Sequence, residues 1–347
     1  MSESVTNQQQ PVLVVDDLHV DFATYGGTVH AVRGVSYQVE AGKTLAVVGE
    51  SGSGKSVTVQ ALMGLIPTPP GKIVQGSAKL LGQEIIGLDT DSLNKLRGNK
   101  MAMIFQDPMT SLNPTMKVGD QIAESLVVHR GMSWQAARIE AVRLLERTHI
   151  PEAKQRANQY PFEFSGGMLQ RVMIAISLAC KPQLLIADEP TTALDVTIQN
   201  QVLELMREIQ RDEGMAIVLI THDLGVVARM ADDVAVMYAG QIVESGTVDE
   251  IFYHPAHPYT VGLQRSMPAM SQQEDEPLIA IEGSPPDMFR PPKGCGYCAR
   301  CPEAMTLCRR EPPPLFELTP SHQSLCWLHH PDAPTNTYSQ ANAAVEV

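Results

Sequence analysis

The stretch Gly49-Glu50-Ser51-Gly52-Ser53-Gly54-Lys55-Ser56 constrains this chain more than any other. It fits G-x-x-x-x-G-K-[ST], a loop that cradles phosphate. Gly49, Gly52 and Gly54, with Ser51 between them, let successive backbone N–H groups converge on anionic oxygens. The helix that follows presents its positive N-terminal end to the same anion. Lys55 is placed to neutralise β- and γ-phosphates, and the Ser56 hydroxyl to ligate Mg²⁺. Such a loop needs a strand before it and a helix after it. Thr44 to Val48 is a short, continuously apolar strand, as expected when both faces are buried in a mostly parallel sheet. A glycine-rich turn that binds nothing is the plainer alternative, and this strand–loop–helix context sets it aside.

Further strands read at Val12 to Val15, Val35 to Val39, Leu184 to Ala187 and Ala216 to Thr221. Between the last two, Ile198, Val202, Leu205, Met206 and Ile209 trace one helical stripe. From about residue 107 to 180 the pattern is helical, and Ser133 can cap a helix whose Ala137, Ala141, Leu144 and Leu145 share a face. Strand, helix and strand with a helical insert make an α/β architecture. The strand Leu184 to Ala187 ends in Asp188 and Glu189, where ligands sit in open α/β sheets. Asp188 is positioned to reach the Mg²⁺ shell, and Glu189 to act on an attacking water as general base. Acid pairs are common in turns; this one gains its meaning from Lys55 upstream.

Phe164-Ser165-Gly166-Gly167-Met168 leads into an apolar helix. Ser165 can cap that helix, and Gly166 and Gly167 expose N–H groups at its start, a second anion site. Here the sequence resembles the nucleotide-binding subunits of ATP-binding cassette (ABC) transporters, whose signature is LSGGQ. Phe164 and Met168 depart from that signature, while the serine and both glycines are kept. The resemblance covers roughly residues 12 to 265. It implies a P-loop NTPase core with a β-subdomain and a helical subdomain, plus a small loop-rich C-terminal domain. It also implies that Gln106, in IFQDP, joins Mg²⁺ to the helical insert and that His222 is the switch histidine at the γ-phosphate. Ala193-Leu194-Asp195 is implied to meet an opposing subunit, and Phe22, with Tyr25 as the alternative, to stack on adenine. A lone histidine after a strand is ordinarily a loop residue; His222 stands out by its order after Glu189.

A narrower resemblance, in FQDPMTSLNP, HPAHPYT and LQRSMP, is to the ATPase subunits of dipeptide and oligopeptide importers. It implies an ATPase that powers uptake of peptides or a related small solute from the cytoplasmic face of the cell membrane. The implied partners are two integral membrane permease subunits, a second similar ATPase (the subgroup favours a heterodimer) and an external solute-binding protein. A soluble ABC-type ATPase acting on ribosomes or nucleic acid is the rival. It would favour a second cassette, a long coiled-coil insert or basic patches. This chain has one cassette, a short insert and 39 acidic against 26 basic residues, a net charge of −13, so no nucleic-acid partner is expected. A small-molecule phosphotransferase would have no use for the second glycine turn or His222.

A chain of 347 residues holds about two domains. The expected division is 12–253 for the ATPase, with its helical subdomain at about 107–180, 254–335 for a Pro-rich extension, and 336–347 for a disordered polar tail. The first dozen residues lack the charge and apolar block of a secretory signal. The longest apolar run, Val172 to Cys180, is far short of the roughly 18–20 residues that cross a bilayer. Thiols are therefore expected to be reduced or metal-bound. Five of the six cysteines crowd into the extension: Cys295, Cys298, Cys301, Cys308 and Cys326. Thiolates converging in a small domain suggest a metal staple, and free thiols packed as small hydrophobes are the plainer alternative. In the peptide-importer subgroup the set resembles a [4Fe–4S] site, which favours Cys295, Cys301, Cys308 and Cys326 and leaves Cys298 spare; zinc is the alternative metal.

Overall fold

The computed structural model describes residues 10–192, 194–266 and 280–334. Ala193, the expected tail at 336–347 and residues 267–279 of the extension lie outside the described residues. In chain order, β1 (Leu13–Thr24) and β2 (Gly27–Val39) precede β3 (Thr44–Val48), which runs through the phosphate loop into α1 (Lys55–Leu62). β4 (Gly71–Leu80) and β5 (Gln83–Glu84) follow, then α2 (Thr90–Leu96) and β6 (Met101–Ile104). The helical insert holds α3 (Pro108–Ser111), α4 (Val118–Arg130), α5 (Trp134–Arg147), α6 (Ala153–Arg156) and α7 (Gly166–Leu178). β7 (Leu184–Asp188), α8 (Val196–Glu213), β8 (Ala216–Thr221), α9 (Leu224–Met230) and β9 (Asp233–Tyr238) come next. β10 (Gln241–Thr247), α10 (Val248–Tyr253) and α11 (Pro258–Arg265) complete this run, and the last segment adds α12 (Thr306–Arg310), β11 (Phe316–Glu317) and β12 (Gln323–Ser324).

The described residues divide into two compact units, one drawn from 10–14, 38–44 and 78–220, the other from 15–37, 45–77 and 221–334. In the first, β6, β7 and β8 run parallel, with Met101 paired to Leu184 and Leu184 to Ala216. All three strands are buried along their length, which is why they read as continuous apolar runs rather than alternations. The insert has its own core, in which Ile122, Leu145, Leu169 and Val172 are almost wholly buried. Ser133 caps α5 as expected, its hydroxyl accepting from Ala136 N at 3.3 Å. Cys180, at the end of the apolar run, is fully buried there.

In the second unit β3 is parallel to β9, from Leu45–Asp233 to Val48–Val236. β9 is antiparallel to β10, β10 to β12, and β12 to β11. One core joins Ala46 and Val48 of β3, the β9 residues, Tyr259 of α11 and Tyr297 of the cysteine segment. The described part of the extension thus shares its core with the strand that carries the phosphate loop. β1 and β2 are longer than the segments read from sequence. Asp17 and Gly34 take positive φ (48° and 81°), and such irregularities break the alternation that marks a strand.

Candidate functional site

The phosphate loop is shaped by backbone that only glycine accepts. Gly49 has φ 151°, and a Cβ on it would lie 2.1 Å from the Met237 carbonyl oxygen. Gly54, the residue before α1, has φ 105°, and its Cβ would lie 2.6 Å from the Ala31 oxygen. Gly52 (φ 79°) and Ser51 are exposed at the crest. Lys55 is buried, and its Nζ donates to the carbonyls of Gly49 at 2.8 Å and Glu50 at 3.0 Å. Ser56 follows in the first turn of α1, half-buried. Of the two candidate aromatics, Phe22 is half-buried with its ring against Gly71, whereas Tyr25 is fully exposed at the turn between β1 and β2.

At the end of β7, Asp188 is buried and Glu189 takes φ 47°. A non-glycine residue in that region costs about 1 kcal/mol or more, and such strain clusters at functional sites. The Glu189 backbone N–H donates to Ile220 O at 2.9 Å, while its Oε2 accepts from Gln106 Nε2 at 2.8 Å and Thr192 Oγ1 at 3.0 Å. Gln106 and Glu189, 83 residues apart, are therefore in direct contact. His222 is exposed just beyond β8, ahead of Asp223, which caps α9.

The glycine turn before α7 differs from expectation in one respect. Ser165 holds the cap position with φ −74° and ψ 160°, but its hydroxyl makes no capping bond and is exposed. Gly166 is likewise exposed; Gly167 is pressed on Ile198, whose Cγ2 would lie 2.7 Å from a Cβ there. That contact accounts for both the second glycine and the first residue of the α8 stripe. Phe164 and Met168, the departures from the signature, both pack on the insert core. Asp195 caps α8, its Oδ1 accepting from Thr197 N at 3.1 Å and Ile198 N at 3.0 Å.

Sequence reasoning missed a set of long-range partners. Arg300 forks onto the Glu50 carboxylate of the phosphate loop, with Nη1–Oε2 at 2.8 Å and Nη2–Oε1 at 3.0 Å. These bonds raise the Arg300 pKa against the opposing effect of burial. Glu244 is 1% exposed and accepts from Ala256 N (2.7 Å) and His257 N (2.8 Å), while its Oε1 lies 2.8 Å from His322 Nε2. Only the HPAHPY motif hinted at this hub.

The five extension thiols line one small cavity together with His257, with room for about a single water. Burial pushes the Cys295 thiol up to about 11 and those of Cys301 and Cys326 to about 12. Among the described residues, no set of three or more His, Cys, Asp or Glu side chains is arranged to hold a metal ion. The iron–sulfur expectation on Cys295, Cys301, Cys308 and Cys326, and its zinc alternative, thus find convergent thiols but no formed metal site.

A glycine-bound phosphate loop on a parallel sheet, with paired acids at a strand end, defines a P-loop ATPase. Residues 32–192 match the ABC transporter family, and residues 243–308 match the oligopeptide/dipeptide transporter C-terminal region. The chain belongs to the ABC transporter ATPases, in the group of oligopeptide and dipeptide transport ATP-binding proteins. It is 56% identical to the oligopeptide transport ATP-binding protein OppD of Bacillus subtilis, over 93% of this chain and 90% of that one. It is 51% identical to OppD of Salmonella typhimurium, over 94% and 97%. Its fold is similar to an ATP-binding cassette solved as a dimer in a post-hydrolysis state with ADP and Pi. The TM-score is 0.62 at 26% identity, covering 68% of this chain and 98% of that one. No helix among the described residues is long and apolar enough to cross a membrane.

Proposed function

We propose that this ATPase energises import of di- or oligopeptides, or a related small solute, working at the cytoplasmic face of the cell membrane with two permease subunits. The observation that carries the reading is the matched pair of segments: the cassette, and the C-terminal region found with oligopeptide and dipeptide transporters. The similar proteins carry names for oligopeptide and dipeptide transport, so the rival, a soluble ATPase acting on ribosomes or nucleic acid, is not favoured.

The loop of Gly49, Ser51, Gly52 and Gly54 would receive the phosphates, with Lys55 exchanging its two carbonyl partners for phosphate oxygens. Ser56, Gln106 and Asp188 would hold Mg²⁺, which supplies charge neutralisation at the phosphates. Glu189 orients and deprotonates the attacking water, and the Gln106 bond couples that carboxylate to the insert. His222 steadies charge at the γ-phosphate. Adenine stacks on Tyr25 rather than Phe22, because only Tyr25 offers a free ring face. Ser165 and Gly166, exposed, with the Ser165 hydroxyl not spent on capping, serve together with Gly167 the site of a second, similar ATPase. Asp195, whose carboxylate already caps α8, orients that neighbouring segment. Met109 and Phe162, both well exposed on the insert, give the membrane subunits an apolar hold. A heterodimer of ATPases and an external solute-binding protein complete the assembly.

The division at about residues 253–254 and the [4Fe–4S] cluster belong to this proposal. His257 supports the cluster: its Nδ1 accepts from Tyr259 N at 3.0 Å, and its buried Nε2 has no hydrogen-bond partner among the described residues. That orphan group lines the thiol cavity, where it suits an anionic guest. The narrow cavity opposes it. Protein purified without oxygen should carry iron and acid-labile sulfide; protein with neither has five packed thiols. The assembly itself is tested by fractionation. The chain should travel with membranes and two integral partners, and sedimentation with ribosomes instead would overturn the reading.

A further inference from the structure

Glu50 sits inside the phosphate loop, yet three of its groups are bound. Its carbonyl accepts from Lys55 Nζ at 3.0 Å. Its backbone N–H donates to Tyr259 Oη at 2.8 Å, and its carboxylate takes the Arg300 fork. Two of these three holds come from beyond residue 250. The Arg300 side chain is 6% exposed and also donates to the carbonyls of Ile281 (3.1 Å) and Glu282 (3.0 Å) and to Tyr238 Oη (3.3 Å). A planar, bidentate donor with its other N–H groups already engaged fixes the carboxylate in position and direction, which a single bond does not.

The base from which Arg300 reaches is firm. Tyr238, Tyr259 and Tyr297 pack as a triad with ring centroids 4.5–5.3 Å apart. Arg300 N donates to Tyr297 O at 2.9 Å, and Cys295 N to Cys308 O at 2.8 Å. Gly294 has no room for a Cβ against the Cys308 carbonyl, 2.2 Å away. Arg300 lies between Cys298 and Cys301, so the backbone that shapes the thiol cavity is the backbone that aims the guanidinium.

We propose that Arg300 is a positioning residue for the phosphate loop, so that the conformation of the cysteine segment sets how tightly this chain holds ATP. The inference rests on the ATP-binding reading above. Glu50 touches no reacting atom in this account; it transmits. Holding its N–H and carboxylate from outside keeps the loop open for phosphate at no cost when the nucleotide arrives.

The test uses the full chain in complex with its membrane partners, measuring KM and kcat for MgATP, equilibrium ATP binding and the thermal midpoint. Arg300→Gln, which removes the two-bond fork, should raise KM and weaken binding about tenfold, with kcat at saturation within about twofold. Glu50→Gln should do the same, and the double variant should be no worse than either alone. Arg300→Lys, which keeps the charge but not the fork, should fall between. Should Arg300→Gln fail to fold, Tyr259→Phe removes one hydroxyl from the same loop residue and should move KM in the same direction. An unchanged KM with a lowered thermal midpoint overturns the inference, as do additive effects in the double variant. A wild-type chain that binds no ATP would instead bring down the functional reading beneath it.

Discussion

Gly49 and Glu189 show how much of this site is decided by single backbone conformations. Gly49 has the Met237 carbonyl where any side chain would begin, and its φ of 151° is strained for every other residue. Gly49→Ala should therefore destabilise the fold by more than about 1 kcal/mol and abolish ATP binding, as thermal unfolding and nucleotide titration will show. Wild-type binding in that variant would mean the loop has room to spare. Glu189 is the mirror case, a carboxylate held at φ 47° by three named hydrogen bonds rather than by absence of a side chain. The residue types at both positions are visible in the sequence because the chemistry prescribes them. Their partners are not, since Met237 and Gln106 lie far along the chain.

At the scale of elements, local signals read well and long-range ones did not. The caps at Ser133 and the buried strands β3, β7 and β8 follow from residues within a few positions. The Ser165 hydroxyl misled because a serine before a helix is usually a cap, and nothing local says that this one is not. The turn at α10 has its own signature: Thr247 and Glu250 form a capping box, with Thr247 N donating to Glu250 Oε2 at 2.9 Å. Glu250 also accepts from Thr319 Oγ1 (2.7 Å) and Ser321 Oγ (2.9 Å), which ties the extension to the helix. Burial alone would raise the Glu250 pKa, but hydrogen bonds from Thr319, Thr247 and Ser321 prevail and hold it at about 2, against an ordinary 4.5. A depressed carboxyl contributes stability that is fully present above its unfolded value and lost as pH falls through the folded one. Glu250→Gln should thus cost about 1–2 kcal/mol at pH 7, allowing for solvent screening. The difference from wild type should fade between pH 4.5 and about 2, as urea unfolding across that range will show. An equal cost at pH 7 and pH 2.5 would show that the charge is irrelevant.

At the scale of the whole molecule, the ordered motifs between residues 49 and 222 made the ATPase fold legible, because each must occupy a fixed place in the chain. The extension was legible only as an oddity of composition. Its Arg300–Glu50 bond spans 250 residues, and no spacing rule connects a loop glutamate to an arginine amid cysteines. The acidic balance fits the proposed engine that reaches the bilayer through protein partners. Peptide uptake into proteoliposomes holding this chain with the proposed two membrane partners, second ATPase and solute-binding protein tests that account most directly. Labelled peptide should accumulate only when ATP is supplied on the side of this chain. Glu189→Gln should bind ATP as wild type does while uptake and hydrolysis drop by about a hundredfold or more. Undiminished uptake in that variant, or accumulation without ATP, would contradict it.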